Sequence, residues 1–160
     1  FSPGKRYVTL DLKSPAGTKI LKGMAEKADI LIEGYRPGVM KRLGLDYETL
    51  QQVNSRLIYC SLTGYGQTGP MASDAGHDIN YIALSGVLGS LGPTDQPPLP
   101  PLNLVADFAG GSLFALNGIL SALYEREKSG LGQYIDAAMI DGCLSMMAMH
   151  FPIWQTSFMP

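Results

Sequence analysis

At 160 residues the chain is long enough to bury one well-formed core and too short for two domains of ordinary size. Apolar residues make up 46% and charged residues 16%, which excludes a disordered chain. A net charge of -2 gives no electrostatic reason to expect nucleic acid or an anionic membrane as partner.

Residues 7–12 are β-branched and apolar and predict a first strand. Ser14 followed by Pro15 predicts an N-cap with proline at the first helical position. That helix is expected to run to about residue 28 and to bury Ile20, Leu21, Met24 and Ala25 on one face. The short apolar run 29–33 reads as a buried parallel strand, and 57–62 as another. Between them lie a proline-bearing turn at 34–38, a short helix to about 43, and a second helix that Asp46 caps and that continues to 53. Strands and helices alternating at this spacing predict an α/β fold, a Rossmann-like parallel sheet with flanking helices. Ligands of such sheets bind beyond the carboxyl ends of the strands. Further on, 79–88 predicts an apolar helix and 93–101 a proline-rich packed connection. A long apolar helix is expected over 108–128, stopped at Gly130, then a strand over 133–138 and a methionine-rich helix over 140–149.

No run approaches the ~18 unbroken apolar residues of a membrane helix, and no signal peptide opens the chain. Cys60 and Cys143 lie far apart in apolar sequence, the pattern of reduced, buried thiols in an intracellular protein rather than of a disulfide framework. No CxxC spacing supports a metal site. The chain begins without methionine and stops in apolar sequence at Met159 and Pro160, which leads to the expectation of a piece of a longer protein.

The stretch 76–113 concentrates the candidate chemistry: His77 beside Asp78, a proline-rich turn, then Asp107 followed by Gly110 and Gly111. A histidine and a carboxylate brought together by a loop make a general acid/base pair. Taken alone, Asp107 reads as a helix N-cap and His77 as a structural histidine. A carbonyl oxygen at that helix start would meet free backbone N–H groups and the positive end of the dipole, which would stabilise an enolate. Gly64, Gly66 and Gly69 match the spacing of the dinucleotide fingerprint, but loop follows where that motif needs a helix, so a tight turn is expected. Arg36, Lys41 and Arg42 either pair with the phosphates of a nucleotide-like ligand or form a solvated basic edge. His150 is expected at the C-terminal end of the methionine-rich helix.

Three segments carry a resemblance: KRYVTLDLK at 5–13, ADILIEGYRPG at 28–38 and GYGQTGP at 64–70. Together they resemble the family III CoA-transferase (CaiB/BaiF) superfamily. AGHDINY at 75–81 and PLNLVADF at 101–108 are similar to its α-methylacyl-CoA racemase branch. The resemblance covers essentially the whole chain and implies that 1–160 is part of the large CoA-binding, catalytic domain, without the family's first strand and later region. It implies Asp107 as the carboxylate that is nucleophile in transferases and acid/base in racemases, and His77 as the second racemase base. Arg36 and Arg42 then fall where the family binds the CoA phosphates and adenosine part, and Gly76 and Tyr81 near the pantetheine and thioester. Acyl-CoA would be the substrate, with no metal or other cofactor. The full-length protein would be an interlocked homodimer, cytoplasmic or, in a eukaryote, peroxisomal or mitochondrial. The alternatives are acyl-CoA transfer with Asp107 as nucleophile, and a CoA-binding or dimerisation module without turnover.

Overall fold

The structure, a computed structural model, describes residues 3–156; residues 1, 2 and 157–160 of the expected domain lie outside that set. Three parallel strands form the sheet: β1 (Ile30–Glu33), β2 (Ile58–Thr63) and β3 (Tyr134–Ala138), in spatial order β1-β2-β3. Ile30 pairs with Ile58, and Tyr59 with Tyr134, so the three strands end together at one edge. The expected α/β architecture is therefore present, with helices on both faces.

One face is covered by α1 (Pro15–Ala25), α2 (Val39–Arg42) and α3 (Tyr47–Leu50), whose Ala25, Met40 and Leu50 pack with Leu45, Leu57 and Tyr59. The other is covered by α5 (Phe114–Ser129), through Ala115, Ile119 and Ala122 against Ile58, Cys60 and Ala137. The alternation along β2 explains this: Tyr59 faces one helix layer, Ile58 and Cys60 the other. Each such buried side chain contributes roughly 1.5–3 kcal/mol of transfer free energy. A third cluster sits beyond the strand ends and joins α4 (Asp78–Leu84) to α6 (Met139–Met146) through Tyr81, Ile82, Ala106, Cys143 and Met147.

Ser14 caps α1 as its sequence predicts, its hydroxyl accepting from the Gly17 amide at 3.0 Å. The buried face differs from the expected one. Ile20 and Met24 are exposed, and the inward stripe is Gly17, Leu21 and Ala25. Gly17 lies so close to the Asp11 carbonyl that no side chain fits there, which rotates the helix to present Gly17 inward.

Residues 7–12 form no strand: a strand is made by its pairing partner, and none lies beside it among the described residues. Tyr7 and Val8 are exposed accordingly. The methionine-rich region is also divided, into α6 and α7 (His150–Gln155), so His150 opens a helix instead of closing one.

The long helix begins earlier than the sequence predicts, with a π-helical segment, Leu104–Leu113, running straight into α5. At 26 residues, Leu104–Ser129 is long and apolar enough to cross a membrane by length and composition. Here it is a packed helix of the α/β layer. Buried Arg126 ties its far end to the sheet, donating to the carbonyls of Asp29 (3.3 Å) and Arg56 (2.9 Å). The ion pair of Arg126 with Asp29 adds little, because the Asp29 carboxylate is largely in water.

Candidate active site

The carboxyl edge of the sheet opens into a cavity of about 420 Å³. Its walls are the loop after β1 (Gly34 to Pro37), the end of β2 with Gly64 and Tyr65, and the segment leading into α4. His77, Gly76 and Tyr81 line it, as does Arg36. Four of the six residues singled out from the sequence thus surround one space, where an α/β sheet places its ligands.

Local chemistry explains the shape. Glu33, the last residue of β1, accepts from the Tyr35 amide at 2.8 Å and from the Ser61 hydroxyl, which itself accepts from the Tyr134 hydroxyl at 3.1 Å. The loop carrying Arg36 is thereby fixed to the sheet while the guanidinium stays exposed. Tyr81 projects from α4 and stands edge-on to Tyr65 with ring centroids 5.0 Å apart. Its ring occupies the place where side chains on Gly64 and Gly76 would be: a Cβ on Gly64 would come within 2.2 Å of the Tyr81 hydroxyl, and one on Gly76 within 2.7 Å of the ring. These glycines leave room for an aromatic wall. Burial pushes the Tyr81 hydroxyl pKa up, reinforced by Tyr65 and by the negative charge of Asp107.

Arg42 does not join the cavity; it is exposed on α2, with Gly38 beside its guanidinium. Arg36 also borders a second cavity of about 250 Å³ that contains Lys41, Gln67 and Tyr134. The glycine-bearing loop 64–69 is a tight turn, as expected, with positive φ at Gly66 and Gly69. Two of its amides are already used: Gly66 donates to the Thr63 hydroxyl and Gln67 to Asp136, which ties the loop to β3 rather than to a phosphate.

Asp107 is half-buried, does not belong to the lining of this cavity, and accepts from the Asn103 side-chain amide at 3.2 Å. It is not an N-cap. The π-helical segment starts at Leu104, so Asp107 lies within its first turn. Capping comes instead from a residue 28 positions earlier in sequence. Buried Asp78 accepts, through Oδ2, from the amides of Ala106 (2.7 Å) and Asp107 (2.9 Å). Those amides are therefore not free to hold a ligand oxygen.

Gly110 and Gly111 also have another role. They allow the π-helical segment and α6 to touch: a Cβ on Gly142 would sit 2.0 Å from the Gly110 carbonyl oxygen, and one on Gly110 would be 2.9 Å from that of Met139. The adjacency of His77 and Asp78 was the one sequence signal for the Asp78 clamp. Its partners could not be read from the sequence.

Cys60 and Cys143 are buried and free, as expected. Burial raises both thiol pKa values, that of Cys60 to about 11. Neither is placed to act as a nucleophile. Among the described residues no group of three or more His, Cys, Asp or Glu side chains could hold a metal.

The chain's sequence matches the model of CoA-transferase family III over residues 1–159, and the chain belongs to that family. It is 49% identical over 153 residues to the α-methylacyl-CoA racemase of Mus musculus and 48% identical to that of Homo sapiens, covering 96% of this chain and 39% of each of those proteins. The acetyl-CoA:oxalate CoA-transferase of Acetobacter aceti is 42% identical over 155 residues, covering 96% of this chain and 40% of that protein. A crystal structure of a CaiB/BaiF family protein from Brucella suis superposes with a TM-score of 0.90 at 35% identity, covering 96% of this chain and 40% of that one. The chain thus spans about two fifths of the length of these relatives.

Proposed function

We propose that this chain carries the proton-transfer centre of a racemase that interconverts (R)- and (S)-2-methylacyl-CoA thioesters. The observation that carries the reading is the link from His77, on the cavity wall, to the Asp107 backbone: Asp78, next to His77 in the chain, accepts from the amides of Ala106 and Asp107. Proton removal from one face of a carbon and return to the other requires two bases held at a fixed separation. The identities to two mammalian racemases support this choice over acyl transfer.

In this reading His77 and Asp107 exchange roles with the direction of reaction, one removing the α-proton and the other protonating the opposite face. An imidazole can donate through one ring nitrogen and accept through the other, and so suits either role. The amides at the start of the Asp107 helix are taken, so the enolate oxygen is served from elsewhere. The first turn of α4, directly after His77, offers amides that have no intrahelical partner. Arg36 holds the phosphates of CoA, Tyr81 and Gly76 guide the pantetheine and thioester, and Arg42 contributes only at the outer, adenosine end. Acyl-CoA is the substrate, and no metal or further cofactor takes part. The full protein works as an interlocked homodimer in lipid metabolism.

The competing reading is acyl transfer through an anhydride on Asp107, which the identity to an oxalate CoA-transferase favours. Offering a 2-methylacyl-CoA together with free carboxylic acids and hydroxylamine separates the two. Racemisation without CoA passing to the acid and without hydroxamate on Asp107 supports the proposal. CoA transfer with a trapped acyl-enzyme overturns it.

A further inference from the structure

We propose that Asp78 is the positioning residue of the two-base centre, its buried carboxylate setting where Asp107 stands relative to His77. This inference rests on the racemase reading above and deepens it.

Asp78 is next to His77 in the chain and 4% exposed. Its Oδ2 receives two amides, Ala106 N–H at 2.7 Å and Asp107 N–H at 2.9 Å, while Oδ1 is buried with no hydrogen-bond partner among the described residues. Among the described residues, the two bonds at Oδ2 are therefore the only hydrogen bonds holding this carboxylate. They are charge-assisted, and they come from the positive end of the π-helical segment. If the N-terminus of α4 drew away from that segment, a buried charge would be left without a partner, which is costly. The two elements therefore move together.

Each end of the link is fixed further. The His77 amide donates to the Asn80 side-chain oxygen at 2.9 Å, which fixes the backbone that carries the imidazole. Asn103 donates to the Asp107 carboxylate at 3.2 Å, and the Ser112 hydroxyl to the Asp107 carbonyl at 2.9 Å. The result is a continuous path from one base to the other, running His77, Asp78, the Asp107 amide and the Asp107 carboxylate. A polar residue at 78 without a carboxylate would lose the double acceptor unless it presented an amide oxygen in the same place.

The test uses the full protein chain with one enantiomer of a 2-methylacyl-CoA in heavy water. Deuterium uptake at the α-carbon and inversion of configuration are followed separately. In D78A, kcat for inversion is expected to fall about a hundredfold, the size of effect that follows from misplacing a reacting group by an ångström. KM should stay within about threefold of wild type, because the binding residues are untouched. The ratio of exchange to inversion should rise several-fold, since a single base can still exchange the proton on its own face. A general loosening of the fold would slow both processes together. D78N, whose amide oxygen can accept the same two bonds, should restore the ratio and bring kcat within about tenfold of wild type.

An unchanged kcat and ratio in D78A would overturn the proposal, and so would a parallel fall of both rates with a raised KM. If D78A does not fold, D78E decides, because it moves the acceptor by one methylene: a raised ratio supports the clamp, and a wild-type ratio overturns it. No exchange by the wild-type protein would defeat the racemase reading itself, whereas wild-type exchange with an unaltered D78A defeats this inference alone.

Discussion

The tightest backbone contact near the site is that between α6 and the π-helical segment, and Gly142→Ala perturbs it with a single methyl group. The added Cβ would lie 2.0 Å from the Gly110 carbonyl oxygen, and 2.5 and 2.6 Å from the Cα and carbonyl carbon of that residue. All three are backbone atoms, so no side-chain rotation relieves the overlap. Opening the contact from 2.0 Å to the 3.4 Å at which ordinary packing begins requires the two helices to part by about 1.4 Å. Overpacking of this kind costs about 1–3 kcal/mol, and a clash of backbone on backbone belongs at the top of that range. For a chain of this size that corresponds to a melting temperature lower by roughly 6–12 °C. The displaced segment carries Asp107 three residues before Gly110, so kcat should fall as well, by about a hundredfold. Differential scanning calorimetry and initial-rate kinetics on the same preparation measure both effects. A variant that melts within about 2 °C of wild type and keeps its kcat would refute the claim that this glycine contact sets the position of Asp107.

The two thiols should be inert in the folded protein. Both are buried and their pKa values are raised, so a disulfide reagent at pH 8 should label Cys60 and Cys143 only after denaturant is added. Rapid labelling of the native protein would contradict the packing. The Cys60 shift also gives a pH dependence: burial, with Glu33 and Asp136 nearby, raises the thiol from 9.0 to about 11, so the folded state favours the protonated form. That contribution is complete below pH 9 and is lost as pH rises towards 11, so urea midpoints should fall over this interval, and fall less in Cys60→Ala. Arg36→Ala should weaken CoA binding by about tenfold in isothermal titration, and the difference should shrink at high salt. Unchanged affinity would remove Arg36 from the binding role.

What was legible in the sequence were the features that neighbouring residues decide. Short apolar runs marked β1 and β2, because a parallel strand covered on both faces needs little else, and β3 lies within the strand expected over 133–138. Ser14-Pro15 marked the start of α1, and Gly130 the end of α5, through cap geometry alone. The misread features depend on packing and pairing contacts that composition and periodicity do not register. Residues 7–12 have strand composition but no neighbouring strand among the described residues. The inward face of α1 is set by how closely Gly17 approaches Asp11, which apolar periodicity does not register. Asp107 has the composition of an N-cap, yet the cap is Asp78, which tertiary structure brings to it. His77, Gly76, Tyr81 and Arg36 were found through their motifs and do meet around one cavity. Arg42 was grouped with Arg36 as a basic cluster, but it stands exposed on α2 outside that cavity.

The central claim is that His77 and Asp107 form a two-base centre for α-proton transfer. The most direct measurement follows a 2-methylacyl-CoA by proton NMR in heavy water with the full protein, its His77→Ala variant and its Asp107→Ala variant. The account predicts that wild type exchanges the α-proton and racemises the substrate, and that each variant loses racemisation by a factor of about a thousand, the range of a positioned general base. Racemisation that survives either substitution, or a wild-type protein that passes CoA to an added acid without exchanging the α-proton, would contradict it.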